Sequence, residues 1–128
     1  MKKLALAGLL AVGLTGCSGS EEPKVLNLYN WSEYMPQEVL DRFTEETGIQ
    51  VVYTTYDSNE AMYARLKLLD ESAAYDLAVP STYYVSKMRQ EDLLMPIDRS
   101  KIEGFDQLDP ELVNLDIDLD NQYSVPYL

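Results

Sequence analysis

The chain has 128 residues, with 22 acidic against 10 basic side chains and a formal net charge of −12. That balance argues against nucleic acid as a partner, because binding to a phosphate backbone needs clustered Lys and Arg. There is no histidine and only one cysteine, so an internal disulfide is excluded and the usual nucleophile and base pairs are missing.

Lys2 and Lys3, the apolar run Leu4 to Leu14 and the small residues Thr15 and Gly16 have the layout of a secretory signal, and the run is too short to span a bilayer as a helix. Residues 1–16 are therefore read as a signal peptide and kept out of the fold. Its end, Leu14-Thr15-Gly16-Cys17, resembles the lipobox of bacterial lipoproteins. Cys17 would then be the first mature residue, carrying acyl chains, and residues 17–24, with Ser18-Gly19-Ser20-Glu21-Glu22-Pro23, a short tether to the membrane. Loss of the signal takes away two basic residues and no acidic one, leaving a net charge of −14. Such a surface gathers cations in a salt-dependent way without locating a site.

Val25 to Tyr29 reads as a first strand, closed by Asn30. Pro36 suits a helix start, Val39, Leu40 and Phe43 give that helix an apolar face, and Gly48 falls where a left-handed residue ends it. Ile49 to Tyr56, rich in β-branched and aromatic residues, is a second strand. Asp57 followed by Glu60 has capping-box spacing, with Met62, Leu66 and Leu69 at helical intervals, so a second helix is expected from Ser58 to Glu71. Tyr75 to Val79 is a third strand stopped by Pro80, and Ser81 or Thr82 can cap a third helix to Gln90. Leu93 to Ile97 adds an extended piece, Asp109-Pro110 caps a short helix to Asn114, and Tyr123 to Tyr127 reads as a last strand. The chain then stops without a turn or polar tail, which reads as a truncated end. Alternation of strand and helix predicts an α/β protein with a parallel, doubly wound sheet.

Ligands of such sheets bind beyond the carboxyl ends of the strands, where the winding reverses. For a strand order 2-1-3 the crevice lies between the loops Asn30 to Met35 and Pro80 to Tyr84. The first loop holds the only tryptophan. Trp31, Ser32, Glu33 and Tyr34 put a ring face, a hydroxyl, a carboxylate and a phenol within four residues, a set suited to an organic ammonium. The same residues are equally compatible with packing by Trp31 and Tyr34 and a solvated Glu33 near a helix start.

Three stretches carry a wider likeness: residues 29–34 (Tyr-Asn-Trp-Ser-Glu-Tyr), 43–49 (Phe-Thr-Glu-Glu-Thr-Gly-Ile) and 75–85 (Tyr-Asp-Leu-Ala-Val-Pro-Ser-Thr-Tyr-Tyr-Val). They resemble the spermidine/putrescine-binding proteins of ABC transporters, and residues 58–64 agree as well. The resemblance implies a periplasmic-binding-protein fold of type II, with residues 25–128 as an incomplete first lobe. It implies a polyamine ligand delivered to ABC permease subunits, in the periplasm or on the outer face of the membrane, with no cofactor or metal. By resemblance, Trp31, Ser32, Glu33, Tyr34, Ser81 and Tyr83 line the ligand, while Thr82 and Tyr84 cap and pack. Glu33 together with the Ser81 to Tyr84 run leans toward spermidine. Most amine-pairing carboxylates of that family come from a second lobe, so these residues alone are expected to form a half-site of weak affinity.

Other readings fit less well. An anion or amino-acid ligand at the helix starts predicts basic residues, and none lies between 30 and 37 or 80 and 85. A sensor lipoprotein using the same fold without a transporter remains open, and a hydrolase is the weakest alternative. Asp116, Asp118 and Asp120 alternate like the start of a calcium loop. The pattern fails at Asn121, where glycine is needed, and at Tyr127, where the bidentate glutamate belongs.

Overall fold

The structure, a computed structural model, describes residues 23–69 and 75–127. The signal peptide, Cys17, most of the tether and Glu71 fall outside the described residues. Three strands, β1 (Val25–Trp31), β2 (Gln50–Tyr56) and β3 (Leu77–Ala78), form a parallel sheet in the order β2-β1-β3. Three helices alternate with them: α1 (Gln37–Thr47), α2 (Asn59–Leu68) and α3 (Thr82–Gln90).

The order decides where the helices go. The chain steps one way from β1 to β2 and back past β1 to reach β3. Two right-handed crossovers in opposite directions place α1 and α2 on opposite faces. One face of the sheet carries Tyr29 and Tyr56, which close a core with Met62 of α2 and Met88 of α3, the last two essentially inaccessible. Tyr29 stacks on Tyr75 at 4.2 Å and meets Tyr56 edge-on at 4.8 Å, pairings worth about 0.5–1.5 kcal/mol each beyond burial. Leu28, one residue away on β1 and hence on the other face, is buried, as is Leu40 of α1.

Local chemistry fixes the ends of these elements. Gly48, at φ 71°, closes α1 by donating its N–H to the Thr44 carbonyl, a conformation glycine adopts without a side-chain penalty. Ser58, not Asp57, caps α2: its hydroxyl accepts the Ala61 N–H at 3.1 Å. The cap thus lies one residue later than the Asp57–Glu60 spacing suggests, because the Asp57 carboxylate is turned to the Ser32 hydroxyl. Ser81 occupies the cap position of α3 but makes no side-chain cap bond. The expected strand Tyr75 to Val79 is shorter as a ladder, since the Asp76 carboxylate takes the Asn27 N–H at 2.7 Å in place of a strand carbonyl. Pro80 then removes the next donor.

Beyond Gln90 the chain has no further strand among the described residues and only short 3₁₀ turns at Arg99–Lys101, Phe105–Gln107 and Leu119–Asn121. The helix expected from Asp109 stops after one turn. The Asp109 carboxylate accepts the Glu111 N–H, but Asn114 sits at φ 57° and binds Asn121 and Asp120. The strand expected at Tyr123 to Tyr127 does not form either. Buried Asp118 accepts the N–H groups of Gln122 and Tyr123 and the hydroxyl of Ser124. Asp118 thus folds the start of this segment into a turn and takes the Tyr123 N–H that a ladder would use.

Candidate functional site

Because the sheet is parallel, β1, β2 and β3 all discharge their chains on one edge. All six residues expected at the site lie there: Trp31 ends β1, Ser32, Glu33 and Tyr34 follow it, and Ser81 and Tyr83 open α3.

Trp31 is half-buried, its ring tilted 54° against Tyr56 at 4.8 Å. Its backbone is held on both sides, the N–H donating to Asn30 Oδ1 at 2.8 Å and the carbonyl accepting from the Tyr53 hydroxyl at 3.2 Å. Glu33 adopts φ 57°, a left-handed conformation that costs a residue with a Cβ about 1–2 kcal/mol. It forms the bend through which the Tyr34 N–H returns to the Trp31 carbonyl. Such strain collects at functional positions because the surroundings must impose it. The Glu33 carboxylate is exposed and has no ion pair among the described residues. Tyr34 is half-exposed, with its ring 5.8 Å from that of Tyr127.

On the other side of the edge Tyr83 is the most exposed aromatic residue, at 73%. It meets Tyr84 edge-on at 5.7 Å. Tyr84 is itself held, its hydroxyl donating to Glu60 at 3.1 Å and its ring facing the Lys87 ammonium at 5.6 Å. Partial burial, then the Glu60 bond, pushes the Tyr84 phenol pKa up. The packing role expected of Tyr84 therefore supports the outward pose of its neighbour.

Among the described residues no hydrogen bond or ring pairing links the first group, residues 31–34, directly to the second, Ser81 and Tyr83. None of the six lines either of two hollows elsewhere, one of about 750 Å³ between Ile97 and Gln122, the other of about 540 Å³ beside Tyr29, Arg65 and Leu68. What joins them is the turn between β2 and α2. Ser32 donates its hydroxyl hydrogen to Asp57 Oδ1 at 2.7 Å, and its N–H goes to the Tyr56 carbonyl at 3.0 Å. Asn59 grips Ser81 twice, donating from Nδ2 to the hydroxyl at 2.9 Å and accepting the N–H at 3.0 Å. The Tyr56 hydroxyl donates to the Val79 carbonyl; burial, the largest cause, drives its pKa far up, so this donor stays protonated. Sequence reasoning missed Tyr56, Asp57 and Asn59 as parts of the edge, reading Tyr56 as a strand end, Asp57 as a helix cap and Asn59 as part of the second helix. The available signal was the parallel sheet itself, which sends the exit of β2 to the same side as the other two.

The edge thus presents aromatic faces, an unpaired carboxylate and hydroxyls, and no basic side chain among residues 31–34 or 81–83. The aspartates of the apparent calcium loop are arranged otherwise: Asp118 is closed around the chain's own donors. Among the described residues no three acidic or sulfur side chains are grouped to hold a metal ion.

A family model described as hypothetical lipoprotein (MG045 family) matches residues 1–110. The chain belongs to that family. It is also similar to the spermidine/putrescine-binding periplasmic proteins of Salmonella typhimurium, at 51% identity, and Escherichia coli, at 49%. In each case the match covers 99% of this chain and 36% of the relative. Among solved structures, a spermidine/putrescine ABC transporter substrate-binding protein from Streptococcus pneumoniae shares 50% identity with a TM-score of 0.75. A putative spermidine/putrescine ABC transporter from Listeria monocytogenes shares 44% with a TM-score of 0.77. Each superposition covers 81% of this chain and 32% of the other. The chain therefore spans about a third of the length of these relatives. The expected fold, a parallel doubly wound α/β sheet of the type II periplasmic-binding-protein kind forming part of one lobe, is borne out.

Proposed function

We propose that this chain belongs to an extracytoplasmic substrate-binding protein that takes up a polyamine, spermidine or putrescine, and hands it to the permease of an ABC importer. In this reading residues 1–16 direct secretion and Cys17 carries a lipid anchor. Residues 17–24 form the tether that keeps the protein at the outer face of the membrane or in the periplasm, and residues 25–128 contribute part of the first lobe. The observation that carries the reading is the identity of about one residue in two, over almost the whole chain, to proteins named for spermidine/putrescine binding.

The chemistry of the edge agrees with it. A protonated amine is attracted to the faces of Trp31 and Tyr83 by about 0.5–2 kcal/mol each, more as water is excluded. Glu33, which has no ion pair among the described residues, supplies a charge-assisted acceptor, and the ring walls can cover the methylenes between amines. The role is one of binding and release, without a catalytic step. A half-edge of this kind leaves the far side of a ligand open, so a second lobe would complete the enclosure.

Isothermal calorimetry of the intact protein with spermidine and putrescine tests the proposal. Trp31→Ala and Glu33→Gln are each expected to weaken binding about tenfold or more, a loss near 1.4 kcal/mol. Absence of polyamine binding by the intact protein, or unchanged affinity in both variants, would contradict it.

A further inference from the structure

The carboxylate that has no place among the six expected ligand residues, yet touches one of them, is Asp57. We infer that Asp57 is a positioning residue that fixes the polarity of the Ser32 hydroxyl, turning it into an obligate acceptor for an ammonium N–H. The inference rests on the polyamine reading and deepens it.

A serine hydroxyl has one hydrogen and two lone pairs, and its rotor is free unless something binds the hydrogen. Here Ser32 Oγ lies 2.7 Å from Asp57 Oδ1, and a carboxylate can only accept. The other acceptor within reach, the Tyr56 carbonyl, is a poor competitor: it lies at 3.4 Å and already accepts the Ser32 N–H at 3.0 Å. With its hydrogen on Asp57 the hydroxyl offers lone pairs outward. An approaching ammonium meets an acceptor already oriented, whereas an approaching carbonyl or carboxylate meets none of the donors it requires. Asp57 is itself held in place. Ser58 caps α2, Asn59 is clamped on Ser81 through two hydrogen bonds, and the Ser32 N–H is tied to the strand end beside Asp57. The aspartate therefore sits on a turn braced by the Ser58 cap and the Asn59 clamp, facing a serine whose own N–H is tied to the strand end.

A purely electrostatic or structural role for Asp57 differs from this one in its dependence on the ligand's N–H groups. The test compares spermidine with its fully N-methylated quaternary analogue, which keeps the positive charges and the chain but has no N–H to donate. Calorimetry is run on the intact protein and on Asp57→Ala, Asp57→Asn, Ser32→Ala and the Asp57→Ala/Ser32→Ala pair, with thermal denaturation checking that each folds. Loss of one charge weakens both probes alike, so the difference between them carries the result. Asp57→Ala is expected to lower spermidine affinity by about three- to tenfold relative to the analogue, the size of one hydrogen bond. Asp57→Asn, which keeps an acceptor oxygen, should retain most of that selectivity, and the pair should lose no more of it than Ser32→Ala alone. Equal losses for the two probes, no loss at all, or additive effects in the pair would overturn the inference. An intact protein that binds neither probe would overturn the polyamine reading itself, and this with it.

Discussion

Residues 25–90 and residues 91–127 are held together in different ways. The first region closes on apolar and aromatic side chains: Met62 and Met88 are almost wholly inaccessible, and Tyr29 and Tyr56 pack between them and the sheet. The second contributes none of the buried apolar side chains; its buried residues are the polar Asp118 and Asn121. Its order comes from side chains gripping backbone: Asp98 on Ser100, Asp109 on Glu111, Asn121 on Asn114 and Asp118 on Gln122 and Tyr123, with the Ser124 hydroxyl as a further donor to Asp118. Non-directional burial rewards periodic sequence and produces long elements. Directional polar grips reward particular neighbours and produce turns. The candidate edge is built on the first kind of region, whose packing holds the loops after β1 and β3 at a fixed separation.

The contrast can be broken most sharply at Met62. Met62→Ala removes a fully buried side chain and should destabilise the sheet and its helices by about 2–5 kcal/mol, seen as a lowered denaturation midpoint with loss of sheet and helix signals together. Asp118→Ala is expected to act more locally. It strands two backbone N–H groups and a hydroxyl at a cost of about 1–3 kcal/mol, and hydrogen exchange should quicken across residues 114–124 while amides of β1 and β2 keep their protection. Spread of that effect into β1 would show that the two regions are one cooperative unit.

The smallest effect concerns Glu91, which joins the two regions at the end of α3. Its carboxyl pKa is lowered first by the bond from Lys67 Nζ at 2.8 Å and then by the Tyr63 hydroxyl. The Lys67 pKa is raised by the same contact. The Glu91 contribution is complete above the ordinary glutamate value of 4.5 and is lost as pH falls through the lower folded value. The Lys67 contribution is complete below the ordinary 10.5 and is lost as pH rises through the higher folded value. The gap in urea midpoint between wild type and Glu91→Gln should therefore stay flat between those limits and close outside them. A gap that widens in acid would contradict the pairing.

Much of the first region was legible because its signals are periodic. The β-branched run at 50–56, Pro36 before α1, Gly48 after it and Pro80 after β3 each state a backbone requirement in one residue. The strand order, left open by sequence, follows from pairing and fixes the edge on which Trp31 and Ser81 emerge. What could not be read were contacts between residues distant in sequence, such as Ser32 with Asp57 and Asn59 with Ser81. Asp57 and Ser58 are both competent caps, and the distant Ser32 contact that occupies Asp57 decides between them. The second region misled for a related reason: Tyr123 to Tyr127 has strand composition, but its first residues are held in a turn by Asp118, which takes the Tyr123 N–H and the Ser124 hydroxyl from several residues upstream.

The central claim is that the loops after β1 and β3 grip one cation together. Amide chemical shifts of the intact protein, followed as spermidine is added, test it most directly. The account predicts that residues 31–34 and 81–83 shift along a single saturation curve and that the shifts persist at physiological salt. Shifts confined to one loop, or scattered over Glu38, Glu45 and Glu46 of α1 and abolished by salt, would contradict it.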